Sequence, residues 1–267
     1  MAEVTATMVR ELRDRTGVAM MDCKAALSET AGDLDKAVDL LRKKGQAKQD
    51  KLAAREAKEG RVESATSSDF KTGILVEINC NTDFTAKSTP VIQLGKAAAQ
   101  VLLKNPNAVV VEDPAVKALI TQAAQQTGEN VQIGRTALIT ASGKVGAYSH
   151  YTGKIGVLVA FSGNPSDELI RDVCLHITAT RPLAMTRDEV PSEIIAKEHE
   201  IAVEQAKATG KPQNIAEKIA LGKMRTFYEE RVLLDQKFVK DDSKTIDQLV
   251  KASGTALEKY VRIEVGQ

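Results

Sequence analysis

Gly60-Arg61-Val62 and Gly73-Ile74-Leu75-Val76 recur further along the chain as Gly143-Lys144-Val145 and Gly156-Val157-Leu158-Val159, both at one offset. A single match between short apolar runs carries little information, but two in one ungapped register point to a duplicated unit. Ile74-Leu75-Val76-Glu77-Ile78 is bounded by Gly73 and by Asn79-Cys80-Asn81, the pattern of a buried strand. Pro90 is well placed to open a helix over about Val91 to Leu103. Each copy then reads as strand, turn, strand, loop and helix, the second helix spanning about Asp167 to Thr180. A further helix is expected at about Ile246 to Ala252. Tyr260-Val261-Arg262-Ile263-Glu264-Val265 alternates like a half-buried strand, expected to return to the second sheet. The fold class is α+β.

Outside the repeat the periodicity is helical. Thr5 is placed to cap a first helix carrying Met8, Val9 and Leu12, ended by Gly17; a second runs from about Met21 through Cys23, Ala26 and Leu27 to Gly32. Asp33 caps a third, in which Leu34, Ala37, Val38 and Leu41 face inward and Gly45 closes the helix. So small a module is marginally stable alone, which suits a docking unit. Polar, Ala-rich residues 46–59 read as a linker. From Pro191 to about Arg231 the pattern is a helical hairpin broken at Gly210-Lys211-Pro212. Ile194, Ile195, Ile201 and Ala202 form one stripe, with Ile215, Ile219 and Met224 opposite.

Charge and composition exclude several function classes. The 37 basic and 36 acidic side chains leave a formal net charge of +1, so no global field draws nucleic acid or an anionic membrane. Eight basic residues against three acids between Arg42 and Arg61 read as a solvated helical linker, with no aromatic residue interleaved for base stacking. Cys23, Cys80 and Cys174 are odd in number and far apart, which favours reduced thiols in a cytoplasmic protein. Met1-Ala2-Glu3-Val4 has no signal-peptide character, and no apolar run is long enough for a membrane helix.

Motifs of covalent chemistry are missing. Of the Gly-Lys pairs at Gly95, Gly143, Gly153, Gly210 and Gly222, none continues with Ser or Thr into a phosphate-binding loop. His150, His176 and His199 lie on separate elements without metal-ligand spacing, and His176 reads as a packed helix residue. No metal site and no cofactor is expected, and weight shifts towards a binding protein.

Asn79-Cys80-Asn81-Thr82-Asp83-Phe84-Thr85-Ala86-Lys87 places one large ring in a polar loop after a strand. Two readings stand. Thr82 or Asp83 caps a short helical turn while Phe84 folds back onto the core; or Phe84 is an anchor offered to a partner's pocket, with Asp83 beside it as a charge probe.

These residues, with Met20-Met21-Asp22-Cys23-Lys24-Ala25-Ala26-Leu27, Gly146-Ala147-Tyr148-Ser149-His150 and Ile215-Ala216-Glu217-Lys218, resemble the bacterial elongation factor Ts family over nearly the whole chain. The resemblance implies a three-helix module similar to ubiquitin-associated domains over residues 1–45 and a linker over 46–59. Two related α+β core subdomains follow, over 60–141 and over 142–189 with 232–267. The second is interrupted by an antiparallel coiled-coil hairpin at 190–231. It implies exchange of guanine nucleotide on elongation factor Tu, GDP-bound or nucleotide-free, without covalent chemistry or direct nucleotide binding. Asp83 and Phe84, flanked by Thr82 and Thr85, would push in near the partner's magnesium, with Met20, Met21 and Lys24 facing the same domain. His150 and Val239 would touch another domain, and Thr127-Gly128 would add contacts. Thr127 and Thr85 depart from the Ile and Val common in the family, and some members continue past the final strand with another helix. The competing class is a structural or RNA-associated interaction protein using the basic linker and the hairpin.

Overall fold

Thr5 accepts the Met8 amide through its hydroxyl and opens α1 (Ala6–Thr16), closed at Gly17 as the sequence predicts. The computed structural model describes residues 4–52, 55–208, 210 and 212–267. Met1, Ala2 and Glu3 of the terminus, Ala53 and Ala54 of the expected linker, and Lys211 of the expected hairpin break lie outside them. With α2 (Met20–Glu29) and α3 (Leu34–Leu52), α1 buries an aliphatic core of Leu12, Cys23, Ala26, Leu27, Ala37 and Leu41.

Two helix ends differ from expectation. α2 stops at Thr30, Ala31 takes the left-handed turn at φ 52°, and Gly32, one place later, donates to Leu27 O at 2.8 Å. α3 continues past Gly45 into the expected linker, because Gly45 is no terminator. It is buried under the side chain of Gln125, where a Cβ would collide.

Downstream come β1 (Glu59–Thr66), β2 (Thr72–Cys80), the single-turn α4 (Asp83–Ala86), α5 (Thr89–Lys104), α6 (Pro114–Thr127) and β3 (Gln132–Thr140). The second unit has β4 (Lys144–Ser149), β5 (Ile155–Phe161) and α7 (Asp167–Thr180). After α8 (Ser192–Lys207) and α9 (Gln213–Arg231) follow β6 (Lys237–Phe238), β7 (Asp241–Thr245), α10 (Ile246–Ala252) and β8 (Leu257–Glu264). Antiparallel sheets run β1-β2-β3 and β4-β5-β8, so the last strand does return to the second sheet.

Alternation along the strands sorts the layers. Ile74, Val76 and Ile78 pack under α5 and α6, and Val157, Val159 and Phe161 under α7 and α10. The opposite faces meet each other through Val62, Leu75, Ile139, Val145, Leu158 and Ile263. The result is helices, sheet, sheet, helices.

The repeated glycines mark where the two sheets cross. A Cβ on Gly73 would stand 2.5 Å from Val145 Cγ1 and 3.0 Å from Leu158 Cδ2. A Cβ on Gly156 would stand 2.5 Å from Val62 Cγ1 and 2.9 Å from Leu75 Cδ2. The repeat offset carries each pair into the other, so the units meet about a pseudo-twofold axis. Backbone bonds obey the same exchange: Val62 N donates to Gly153 O and Val145 N to Phe70 O, both at 2.7 Å. Phe70 accordingly takes φ 57° where Gly153 takes φ 76°, a conformation costly for an aromatic residue and held by the docking of its turn.

The α8–α9 hairpin forms, and of its expected seam Ala202 and Met224 are buried with Ile195 and Ile219 packed against them, while Ala206, Ala216 and Ala220 join it unexpected. Alanines at i and i+4 let the helices approach closely, and Ile215 is left exposed outside the contact.

Gly156→Ala is expected to cost roughly 1–3 kcal/mol through overpacking against Val62. Adding Val62→Ala to that background should recover part of the loss. Urea unfolding of the wild type, the single and the double variant checks this; a neutral Gly156→Ala would mean that the sheets can slide apart at no cost.

Candidate functional site

The turn after β2 shows which way the Phe84 ring points. Thr82 does cap α4, its hydroxyl accepting the Thr85 amide at 3.3 Å, yet the Phe84 ring does not fold back: it is 81% exposed. Thr85 is the residue that turns inward and is buried. Asp83 is bound by Lys87 Nζ at 2.8 Å, and that hydrogen bond holds its carboxyl below the usual range. So exposed a pair is easily exchanged for other partners.

What fixes this turn is a residue the sequence reading passed over. Glu129 Oε2 accepts the Asn81 amide at 3.1 Å and the Thr82 amide at 2.9 Å, and Oε1 accepts the Thr82 hydroxyl at 2.7 Å. A carboxylate gripping three donors is a strong clamp. Asn130 N donates to Asn81 Oδ1 at 2.9 Å, and Asn130 Nδ2 to Arg55 O at 2.8 Å. The buried Cys80 thiol donates to Thr82 O at 3.2 Å; burial first, then the nearby Glu129 charge, pushes it up to about 12, so the proton stays. The signal was present in Gly128-Glu129-Asn130, but its partner is distant in sequence.

Thr127 and Gly128 act in the same stretch. Gly128 closes α6 at φ 71°, a conformation that turns the chain so that Glu129 reaches Asn81. Thr127 bonds back to Ala123 O at 2.7 Å and its hydroxyl accepts the Glu129 amide at 3.3 Å. Immediately before them Gln126 donates to Thr16 O at 2.9 Å, and Gln125 to Leu41 O. The end of α6 thus holds both the N-terminal helices and the Phe84 turn. Met20, Met21 and Lys24 all lie exposed on α2, so neither methionine is core.

His150 occupies the β4–β5 turn, half-buried, with Nδ1 at 2.8 Å from Thr152 Oγ1. The structure brings this turn towards the Phe84 turn: Arg61 Nη1 donates to Ala86 O at 3.0 Å, and the Arg61 side chain lies beneath Gly153. Val239 is apart from both, 53% exposed on the β6–β7 turn. Its amide donates to Nδ1 of the buried His176 at 3.4 Å, so Nε2 carries the proton that Gln236 Oε1 accepts at 2.9 Å. Burial lowers the His176 pKa.

Among the described residues no three His, Cys, Asp or Glu side chains cluster as a metal site would need, and no helix is long and apolar enough to cross a membrane. A family model described as "Elongation factor TS" matches residues 81–267. The chain belongs to the elongation factor Ts family. Among its relatives, "Elongation factor Ts" of Hydrogenovibrio crunogenus is 42% identical over 272 residues, covering 99% of this chain and 92% of the relative. The protein of that name from Methylococcus capsulatus is also 42% identical, with the same coverage, and that of Chloroherpeton thalassium is 39% identical over 98% of this chain and 96% of its own. Elongation factor Ts is a translation factor of nucleotide exchange, not an enzyme making or breaking covalent bonds. The exposed Phe84 turn begins inside the matched region.

Glu129→Ala should free the Asn81 and Thr82 amides, seen as faster hydrogen exchange at those two positions with little change in melting; unchanged protection would show that α4 holds itself. Acid should loosen the Val239 turn. The His176 pKa is lowered on folding, so the unfolded chain takes up the proton first. The contribution of His176 is complete above the ordinary value of about 6.5 and is lost as pH falls towards the depressed folded value. His176→Asn, which keeps an acceptor, is expected to flatten the fall in melting temperature between pH 7.5 and 5.5, as calorimetry would read it.

Proposed function

We propose that this elongation factor Ts binds elongation factor Tu in the cytoplasm and promotes GDP release by inserting Phe84 and Asp83 beside the partner's magnesium-nucleotide site. One observation carries the reading: a large ring standing 81% in solvent on a turn clamped from below by Glu129. An exposed aromatic gains little until a partner buries it, and aromatic anchors concentrate binding energy. Clamping the turn beforehand lowers the ordering cost of insertion.

GDP is held in such a partner by backbone amides around its phosphates and by a bridging metal ion. A ring wedged among those elements displaces the amides, while Asp83, leaving Lys87, competes for the positive charge at the site. Factor and nucleotide then weaken each other, and the coupling is reciprocal. A ~10⁴-fold weakening needs about 5.5 kcal/mol of differential binding, and one aromatic anchor supplies roughly 2–4 kcal/mol. A distributed surface must contribute the rest. For that we assign Met20, Met21 and Lys24 on the N-terminal module, read as resembling ubiquitin-associated domains, Thr127 and Gly128 at the end of α6, and His150 and Val239 on the second subdomain.

Phe84→Ala should slow release of fluorescent GDP from the partner at least tenfold in stopped flow while the melting temperature stays unchanged. An unaltered rate would remove Phe84 from the mechanism. His150→Ala should weaken the complex in titration calorimetry without slowing release at saturation.

A further inference from the structure

Two rings in this protein stand almost wholly in water: Phe84 at 81% exposure and Tyr151 at 90%. With four Tyr, five Phe and no Trp in the chain, aromatic surface is scarce, and its placement in solvent is informative. Single exposed apolar residues are ordinary. Here, however, the two rings ride on turns joined by one side chain.

Arg61 leaves β1 with its guanidinium held by Glu63, Nε to Oε1 at 2.6 Å, both side chains largely buried. From there Nη1 donates to Ala86 O at 3.0 Å, at the end of the turn of helix that carries Phe84. Its aliphatic stem lies under Gly153, where a Cβ would come within 3.6 Å of Arg61 Cβ. Gly153 is in the turn that carries Tyr151, and that turn is fastened to β1 again by Val62 N to Gly153 O at 2.7 Å. Lys154 of the same turn pairs with Glu59 at 2.8 Å and also acts electrostatically on Asp83.

Nor is Tyr151 loose on its turn. Its ring lies against that of His150, centroids 4.3 Å apart, and His150 is tied to Thr152. A partner that touches His150 therefore meets Tyr151 as well. Rigid tyrosines give large amphipathic contact area at low ordering cost.

We propose that Tyr151 is a second aromatic anchor for the same GTPase partner, with Arg61 holding its turn at a fixed spacing from the Phe84 turn. This rests on the exchange-factor reading. The chemistry implied on the partner is an apolar depression with a hydrogen-bond acceptor at its rim for the phenol. Phe84 then serves the release step, and Tyr151 serves affinity.

The test uses the full chain with nucleotide-free partner in titration calorimetry, and with fluorescent-GDP-loaded partner in stopped flow. Tyr151→Ala should weaken the complex about tenfold to a hundredfold with unchanged melting, and should leave the release rate at saturation unaltered. Tyr151→Phe should retain most of the affinity. Arg61→Ala should weaken binding in the wild-type background and much less in the Tyr151→Ala background, since a spacing has no value when one anchor is gone. If Tyr151→Ala binds like wild type while Phe84→Ala still slows release, the second anchor is wrong and the exchange reading stands. If neither substitution changes binding or release, the exchange reading itself falls. Fully additive Arg61 and Tyr151 effects would overturn the spacing role.

Discussion

Everything in the core is arranged around two places where a valine of one sheet enters the space that a glycine leaves in the other. Val145 fills the notch at Gly73, and Val62 fills the one at Gly156. Interiors are packed too densely for either notch to be left empty or overfilled. The two crossings therefore set how closely the sheets approach and the angle of one unit to the other. Backbone bonds from the same two valines pull in the turns at Gly153 and Phe70. Phe70 tolerates a left-handed backbone because its carbonyl is needed there, and its ring finds Lys144 at 5.1 Å.

That crossing bears on the proposed site. Drawing the β4–β5 turn onto β1 brings it beside the end of α4, since β1 carries both Val62 and Arg61. Features from different units, the Phe84 turn and the His150-Tyr151 turn, become neighbours through one strand. The duplication builds a single surface from two turns.

The end of α6 performs a comparable task on the other side. Gln125 and Gln126 reach back to the N-terminal helices across Gly45 and Gly17, and Glu129 and Asn130 reach forward to Asn81 and Thr82. Within a few residues the chain fixes the module that carries Met20, Met21 and Lys24 and the turn that carries Phe84. Polar side chains do this with directional bonds to backbone groups, and a displacement of one element loses several at once. A factor proposed to deform its partner must itself resist deformation.

Repeats, strand alternation and helix caps are properties of neighbouring residues, so the duplication, the strand from Ile74 to Ile78, the helix from Asp167 to Thr180 and the returning last strand were all legible in order along the chain. The composition of the Phe84 loop was legible too, though not which way its ring points. Tertiary structure alone decided that Gly45 lies within a helix, that Ala206, Ala216 and Ala220 and not Ile215 complete the hairpin seam, and that Glu129 clamps Thr82. In each case the deciding atom belongs to a residue far away in sequence: Gln125 over Gly45, the facing helix over Ala216, a helix terminus under Asn81. Short-range pattern specifies what each segment can become; only packing selects which side chain meets which, because close contact is a property of pairs that the linear order does not contain.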